Sequence, residues 1–191
     1  MVSDRDRWNE RWGETALSNA PSPPGVLLEF ADRLPTSGRA IDLAGGAGDG
    51  ALWLAQRGCE VTLADVSDVA LAHAEARARS LRLMLTTECI DLEADPAPQG
   101  PWDLIVVAHY LNRSLLQQLP QLLAEDGMLV VGIGTERNLE RHPRPSARFL
   151  LADGELPGLI PGLATVEHRE DWAEWGVHEA RYLGQRTAAV S

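Results

Sequence analysis

Three carboxylates, Asp42, Asp49 and Asp65, bracket the glycines Gly45, Gly46, Gly48 and Gly50. Glycine at this density lets the chain turn sharply and lets a ligand approach main-chain atoms that a side chain would screen. Gly46, Gly48 and Ala51 satisfy G-x-G-x-x-G/A, with Asp65 about twenty residues further on, which is the dinucleotide pattern. The surrounding acids argue against a pyrophosphate. Asp49 falls at a helix N-terminus, where a phosphate needs bare N–H groups and positive potential. Asp42, at the end of the preceding strand, suits a ligand ammonium held directly or through water. Asp65 closes the next strand, where a carboxylate can accept from both hydroxyls of a ribose. The competing reading of Asp65 is a helix N-cap, a job Ser67 and Asp68 are placed to do instead.

A second group lies past the run Trp102–Ala108, WDLIVVA, which is followed by His109, Tyr110, Leu111, Asn112 and Arg113. Polar and aromatic residues beyond the carboxyl end of a central strand sit where open α/β sheets bind ligands. His109 is a candidate general base for an acceptor that must lose a proton, against the alternative of a structural histidine. Tyr110 is expected to flank the bound ligand.

The elements that must position these residues are legible from apolar periodicity. Ala40, Ile41 and Leu43 form a short strand buried on both faces, and Ala51, Leu52, Leu54 and Ala55 follow at helical spacing up to Gly58. Before them, Trp8 and Trp12 lie four apart on one helix face, and Pro21–Pro24 precede a second helix with Val26, Leu27, Phe30, Ala31 and Leu34 as its stripe. After them, the spacing predicts a strand over 60–65, a helix over 67–80, a third strand over 81–87, the strand at 102–108, an amphipathic helix over 114–125, a turn at Asp126-Gly127 and a fifth strand over 128–133. The arginine-rich stretch 134–146 reads as a mobile loop over the site, and 153–156 opens a short helix. Residues 163–172 and 177–187 read as two long strands joined at Trp175-Gly176, an antiparallel hairpin closing the sheet.

The segment Asp42-Leu43-Ala44-Gly45-Gly46-Ala47-Gly48, followed by ALWLAQRG and by VTLADVS at 61–67, resembles the first two motifs of class I S-adenosylmethionine-dependent methyltransferases. It is most similar to their small tellurite-resistance or thiopurine-like branch, and the resemblance runs from about Trp8 to Arg186. It departs from the family's D-x-G-x-G-x-G by Ala44 at the first glycine, and it has Asp49-Gly50 where relatives often carry Arg-Asn. The resemblance implies an α/β fold with a seven-stranded, mostly parallel sheet flanked by helices, Rossmann-like, ending in an antiparallel hairpin. It implies S-adenosyl-L-methionine as cofactor, a ligand with an ammonium, a sulfonium and a ribose but no phosphate. The cofactor residues it implies are Asp42, Ala44, Gly45, Gly46, Gly48, Asp65, Val66, Asp91, Leu92, Ala108 and Tyr110, with Asp91 on the adenine amino group and Leu92 over the ring. Trp12 joins them if the N-terminal segment 1–20 folds over the site as a lid; the alternative is a face packed on the domain. His178 and Arg181 are acceptor-side candidates on the same resemblance and join His109 as candidate catalytic residues.

Composition narrows the function further. The 191 residues suit one domain, with the core sheet over 38–187. A formal net charge of −11 and a pI near 4.8 disfavour nucleic acid and anionic membranes, which need a basic patch, and favour a small-molecule acceptor. All 17 basic residues are arginine. Without lysine there is no P-loop, no pyridoxal Schiff base and no Tyr-x-x-x-Lys reductase pair. Cys59 and Cys89 lack metal-ligand spacing, so no metal site is expected. The charged N-terminus lacks a signal-peptide core, which makes the cytoplasm the expected compartment, with the protein a monomer or homodimer. The function these features support is methyl transfer to a small molecule, such as a thiol, a chalcogen oxyanion or a small metabolite. The alternatives are an NAD-dependent oxidoreductase on the same turn and a non-catalytic S-adenosylmethionine-binding domain.

Overall fold

A computed structural model describes residues 3–187. Residues 1, 2 and 188–191, the ends of the expected single domain, lie outside that range.

Seven strands form one sheet in the order β3-β2-β1-β4-β5-β7-β6: β1 Arg39–Leu43, β2 Glu60–Asp65, β3 Thr86–Cys89, β4 Trp102–Ala108, β5 Leu123–Gly134, β6 Ala164–Trp172 and β7 His178–Gln185. The first five pair in parallel, whereas β7 runs antiparallel to both β5 and β6. The expected mostly parallel sheet with its C-terminal hairpin is therefore present. The helices are α1 Asp4–Gly13, α2 Gly25–Glu29, α3 Asp49–Gln56, α4 Asp68–Leu81 and α5 Arg113–Leu122. No helix among the described residues is long and apolar enough to cross a membrane.

The central strands are apolar on both faces because helices cover both. Ile41, Leu43, Ile105, Val107, Leu129, Val131 and Tyr182 face α5 through Leu115, Leu116 and Leu119. Their alternates Ala40, Leu104, Val106, Val130 and Leu183 pack with Val26, Leu27, Ala51, Leu54, Leu71 and Ala74 of α2, α3 and α4. The two faces set where every side chain past a strand end points.

Four segments differ from the periodicity. The third strand starts at Thr86, because α4 runs through Leu81 and closes on Arg82 in the left-handed region (φ +58°), with Leu83 N–H donating back to Ala78 O at 2.9 Å. Helix α5 stops at Leu122, and Leu123 already pairs with Trp102, so the expected turn at Asp126 (φ +60°) is an irregularity inside β5. The stretch expected as a mobile loop contains a 3₁₀ turn, Glu136–Glu140, anchored where Asn138 Nδ2 donates to Thr135 O (3.0 Å) and Asn138 Oδ1 accepts from His178 N–H (2.9 Å). The expected short helix near 153–156 is a 3₁₀ turn at Leu156–Leu159.

Candidate functional site

The parallel strands deliver their carboxyl ends to one edge, and the glycine turn between β1 and α3 lies there. Ala44 (φ +54°), Gly46 (φ +56°) and Gly48 (φ +81°) all occupy the left-handed region, which is why alternate positions of this turn favour glycine. Protein atoms explain most of the glycines. A Cβ on Gly45 or Gly50 would lie 2.6 or 2.7 Å from Asp42 Oδ2, and one on Gly48 would lie 2.9 Å from Ala74 Cβ. Only at Gly46 does the missing side chain face the cleft edge, and there the neighbour is Trp12 of α1, with Cζ2 2.5 Å from the ideal Cβ position. Helix α1 is capped by a Ser3–Asp6 capping box. Asn9 docks it on the start of α4, donating to Asp68 Oδ1 (2.7 Å) and accepting from Ser67 Oγ (2.6 Å). The segment read as a lid thus lies across the turn.

Asp65 is 7% exposed and ends β2 with both carboxylate oxygens in use: Oδ2 accepts from Gly46 N–H (2.8 Å) and Oδ1 from Ser67 N–H (2.9 Å). The N-cap of α4 is Ser67, whose Oγ accepts from Ala70 N–H at 3.1 Å. A carboxylate offers about four lone-pair sites, so roughly two of Asp65 remain for hydroxyl donors. Asp42 is 3% exposed beneath the turn, and burial, with the charges of Asp65 and Asp49 behind it, pushes its pKa up to about 7 against the opposing Ala51 amide. Burial also raises Asp65, opposed by the amides of Ser67, Gly46 and Val66.

Asp49 has a partner that sequence spacing did not reveal. Arg77 of α4, 5% exposed, places Nη2 2.6 Å from Asp49 Oδ1 and donates from Nη1 to Ala47 O at 2.8 Å. Asp49 Oδ1 also accepts from Ser22 N–H at 2.9 Å. The acid at the start of α3 is neutralised internally, so its expected repulsion of a phosphate is blunted. The case against a pyrophosphate passes to Asp42 and Asp65.

The remaining expected residues fall along the same edge. Asp91 and Leu92 follow β3, and Asp91 Oδ1 accepts from Glu93 N–H at 3.0 Å. The β3 and β4 ends are tied together: Tyr110 Oη donates to Glu93 Oε1 (2.8 Å), and Asn112 Nδ2 donates to Leu92 O (3.0 Å). Burial and the adjacent Glu93 raise the Tyr110 phenol above its usual range. Val66 and Ala108, half-buried, complete the ends of β2 and β4.

His109 follows β4 in the left-handed region (φ +60°), with its N–H donating to Gly132 O at 2.7 Å and 60% of its side chain exposed. Its Nδ1 lies 3.5 Å from Oε1 of Glu179, which is 1% exposed. Two expected acceptor-side residues are placed differently. His178 is 2% exposed, with Nδ1 2.7 Å from Thr135 Oγ1 and its ring edge-on to Trp172. Arg181, 5% exposed, pairs with Glu29 Oε2 (2.9 Å) and with Asp171. Burial in an interior strand gives both internal partners in place of the acceptor-side position that the resemblance implies. Glu179, between them, was missed: β7 is buried on both faces, and alternation in sequence does not say which face α2 will cover.

Comparison with known proteins agrees with this geometry. A family model described as a methyltransferase domain matches residues 40–127, from β1 to the start of β5. Demethylmenaquinone methyltransferase of Thermus thermophilus is 33% identical over an alignment of 156 residues that covers 75% of this chain; the chain spans only 58% of that relative's length. Among solved structures, TehB from Haemophilus influenzae superposes with a TM-score of 0.72 at 20% identity, covering 96% of this chain and 67% of that one. Geranyl diphosphate C-methyltransferase from Streptomyces coelicolor A3(2), solved with S-adenosyl-L-homocysteine, gives 0.71 at 12% identity over 96% and 98%. By its strand order and its superposition on these structures, the chain has the fold of the class I S-adenosylmethionine-dependent methyltransferases, with a methyltransferase-domain match over residues 40–127.

Proposed function

We propose that the protein transfers the methyl group of S-adenosyl-L-methionine to a small molecule in the cytoplasm. The observation that carries this reading is Asp65, anchored by Gly46 and Ser67 amides at the end of β2 with acceptor capacity left for a ribose. The cofactor, when bound, supplies an electrophilic methyl on a cationic sulfur. The residues present fit such a ligand: buried carboxylates at 42 and 65 favour its positive charge and disfavour a pyrophosphate, and the left-handed glycine turn brings bare main-chain atoms to the carboxyl edge of the sheet. Asp91 and Leu92 would hold the adenine, while Ala44, Gly45, Gly48, Val66, Ala108 and Tyr110 form the walls. Trp12 would close over the ligand, excluding water, and its ring face would attract the sulfonium by about 1 kcal/mol. His109, at the end of β4, stands where an acceptor would meet the methyl.

The relatives' acceptors, demethylmenaquinone and geranyl diphosphate by name, are small molecules. The charge of −11 fits such an acceptor better than nucleic acid. Calorimetric titration of the protein with S-adenosyl-L-methionine and with NAD tests the reading. We expect only the first to bind, and Asp65→Ala to weaken it at least about tenfold. NAD binding, or unchanged affinity in the variant, would overturn it. Turnover is then read as S-adenosyl-L-homocysteine release across thiols, oxyanions and phenols; none from any acceptor would favour a non-catalytic binding domain.

A further inference from the structure

The methyl-transfer reading leaves one buried acid without a task. Glu179 lies on the face of β7 that α2 covers, with Oε1 3.4 Å from where a Cβ on Gly132 would sit. Neither carboxylate oxygen makes a hydrogen bond of good geometry, and the donor beside it is the Trp175 indole N–H. An unpaired buried carboxylate costs stability, so a fold that keeps one has either a proton on it or a cation meant for it. The charged and titratable groups around it are Arg181 on the same strand, Glu29 on α2 and His109 past β4. Arg181 is already committed to Glu29 and Asp171, and Glu29 repels. His109 is the group free to answer.

We propose that Glu179 is a positioning residue for His109, keeping the proton on Nδ1 so that Nε2 takes the proton of a neutral O–H or S–H methyl acceptor. This rests on the methyl-transfer reading and narrows it to an acceptor that must be deprotonated, such as a phenol or an alkyl thiol, in place of a preformed oxyanion. In the step, the X–H bond breaks and its proton passes to Nε2, the electron pair left on X forms the X–CH3 bond, and the S–CH3 bond breaks with its pair staying on sulfur, which leaves as S-adenosyl-L-homocysteine. The resulting imidazolium is balanced by the Glu179 carboxylate 3.5 Å from Nδ1, and it returns the proton to water afterwards. The separation exceeds an ordinary hydrogen bond, and such pairs commonly tighten once substrate is bound. The left-handed backbone at His109, held by its N–H on Gly132 O, keeps Nδ1 beside the buried acid while 60% of the side chain stays exposed past the carboxyl end of β4. The two carboxylates at 29 and 179 also disfavour an anionic acceptor.

Burial holds the Glu179 carboxyl up to about 7, with Arg181 and the Trp175 indole opposing and Glu29 adding.

The test is nitrogen-15 NMR of His109 in the full chain, with and without the Glu179→Gln substitution, alongside calorimetry with S-adenosyl-L-methionine. We expect the wild type to hold the Nδ1–H tautomer at pH 8 and the variant to lose that preference, with the His109 pKa falling. Glu179→Asp should partly restore both, and Glu179→Met serves if Gln does not fold. In turnover at pH 7, Glu179→Gln should lose at least about tenfold with an alkyl thiol or phenol and less than about threefold with an aryl thiol already ionised at that pH. An unchanged tautomer and pKa, or equal losses on both acceptor types, would overturn the proposal. If calorimetry shows no cofactor binding by the wild type, the methyl-transfer reading itself fails; if the cofactor binds and His109 ignores Glu179, only this inference does.

Discussion

The indole of Trp12 rests on the bare backbone of Gly46, close enough that a methyl group at that glycine would fall 2.5 Å from Cζ2. One contact thus joins the N-terminal helix to the turn between β1 and α3, while Asn9 makes the second attachment at α4. Gly46→Ala meets both a clash and a positive φ of 56°, so it should release the helix. Trp12→Ala should do the same by removing the contact. We expect both variants to be cut faster by trypsin at Arg7 and Arg11, and S-adenosyl-L-methionine to protect the wild type. Stopped-flow fluorescence should show the cofactor leaving Trp12→Ala about three to ten times faster, as loss of about 1 kcal/mol of aromatic contact implies. Equal cleavage rates in all three proteins would mean that the contact does not hold the helix down.

The Arg77–Asp49 pair ties the middle of α4 to the first residue of α3. Arg77 carries its charge at 5% exposure and is shared between Asp49 and the Ala47 carbonyl. Arg77→Met leaves a carboxylate short of its counterion and a carbonyl short of its donor; the Asp49 side chain is 34% exposed, so water screens the loss and the cost stays below the roughly 3–5 kcal/mol of a fully buried pair. The double variant with Asp49→Asn should recover part of that loss, because the orphaned charge is gone. Urea melts of the four proteins measure the coupling; additive losses would show that the pair contributes little.

Ala44 is the only non-glycine among the three left-handed positions of the turn. A Cβ in that region costs about 1 kcal/mol relative to glycine, net of glycine's greater freedom in the unfolded chain. Ala44→Gly should therefore raise Tm by roughly 2–4 °C for a chain of this size, and Ala44→Val should lower it. Differential scanning calorimetry decides it, and a lower Tm for the glycine variant would show that Ala44 makes compensating contacts.

How far the sequence could be read follows from how local each signal is. The glycine turn, the apolar runs at 40–43 and 102–108 and the acid closing β2 are written in neighbouring residues, and their places in the sheet match. The start of β3 was misjudged because Leu81, Leu83 and Leu85 keep alternating while the backbone is still leaving α4. Asp49 lacked a role because its partner sits 28 residues away on another helix, at a position with no motif. His178 and Arg181 are acceptor-side candidates by resemblance alone, and β7, an interior strand between β5 and β6, is covered on both faces. Glu179 required knowing that α2 crosses Gly132, a fact of packing that no local pattern encodes.

Stability should fall as pH rises from about 5 to 8. Asp42, ordinarily 3.8, and Glu179, ordinarily 4.5, are both pushed up to about 7 by burial, and Asp65 moves the same way. Between the ordinary and the raised values the folded protein holds protons that the unfolded chain has released. More protons bound in the native state make the slope of unfolding free energy against pH negative, so this contribution is complete below about pH 4 and is lost as pH passes 7. Each pKa unit corresponds to about 1.4 kcal/mol, so each group is worth up to a few kcal/mol across that window. Glu155 works oppositely, since Arg113 lowers its pKa; its contribution is present above 4.5 and lost on further acidification, which sets the acid side of the optimum. Mutual repulsion from a net charge of −11 at pH 7 also eases toward the pI near 4.8, in the same direction as the buried acids. Glu179→Gln and Asp42→Asn remove an ionisable group from each buried position, so both should melt at a higher temperature than wild type at pH 8 and show a flatter dependence between pH 5 and 8. The same variants should be poorer in proton transfer and in cofactor binding respectively, the usual exchange between a site's chemistry and its stability. Thermal melts at pH 5, 6, 7 and 8 decide the matter: a wild-type Tm that climbs across this range, or a Glu179→Gln slope parallel to that of wild type, would show that Glu179 is not holding a proton in the folded state.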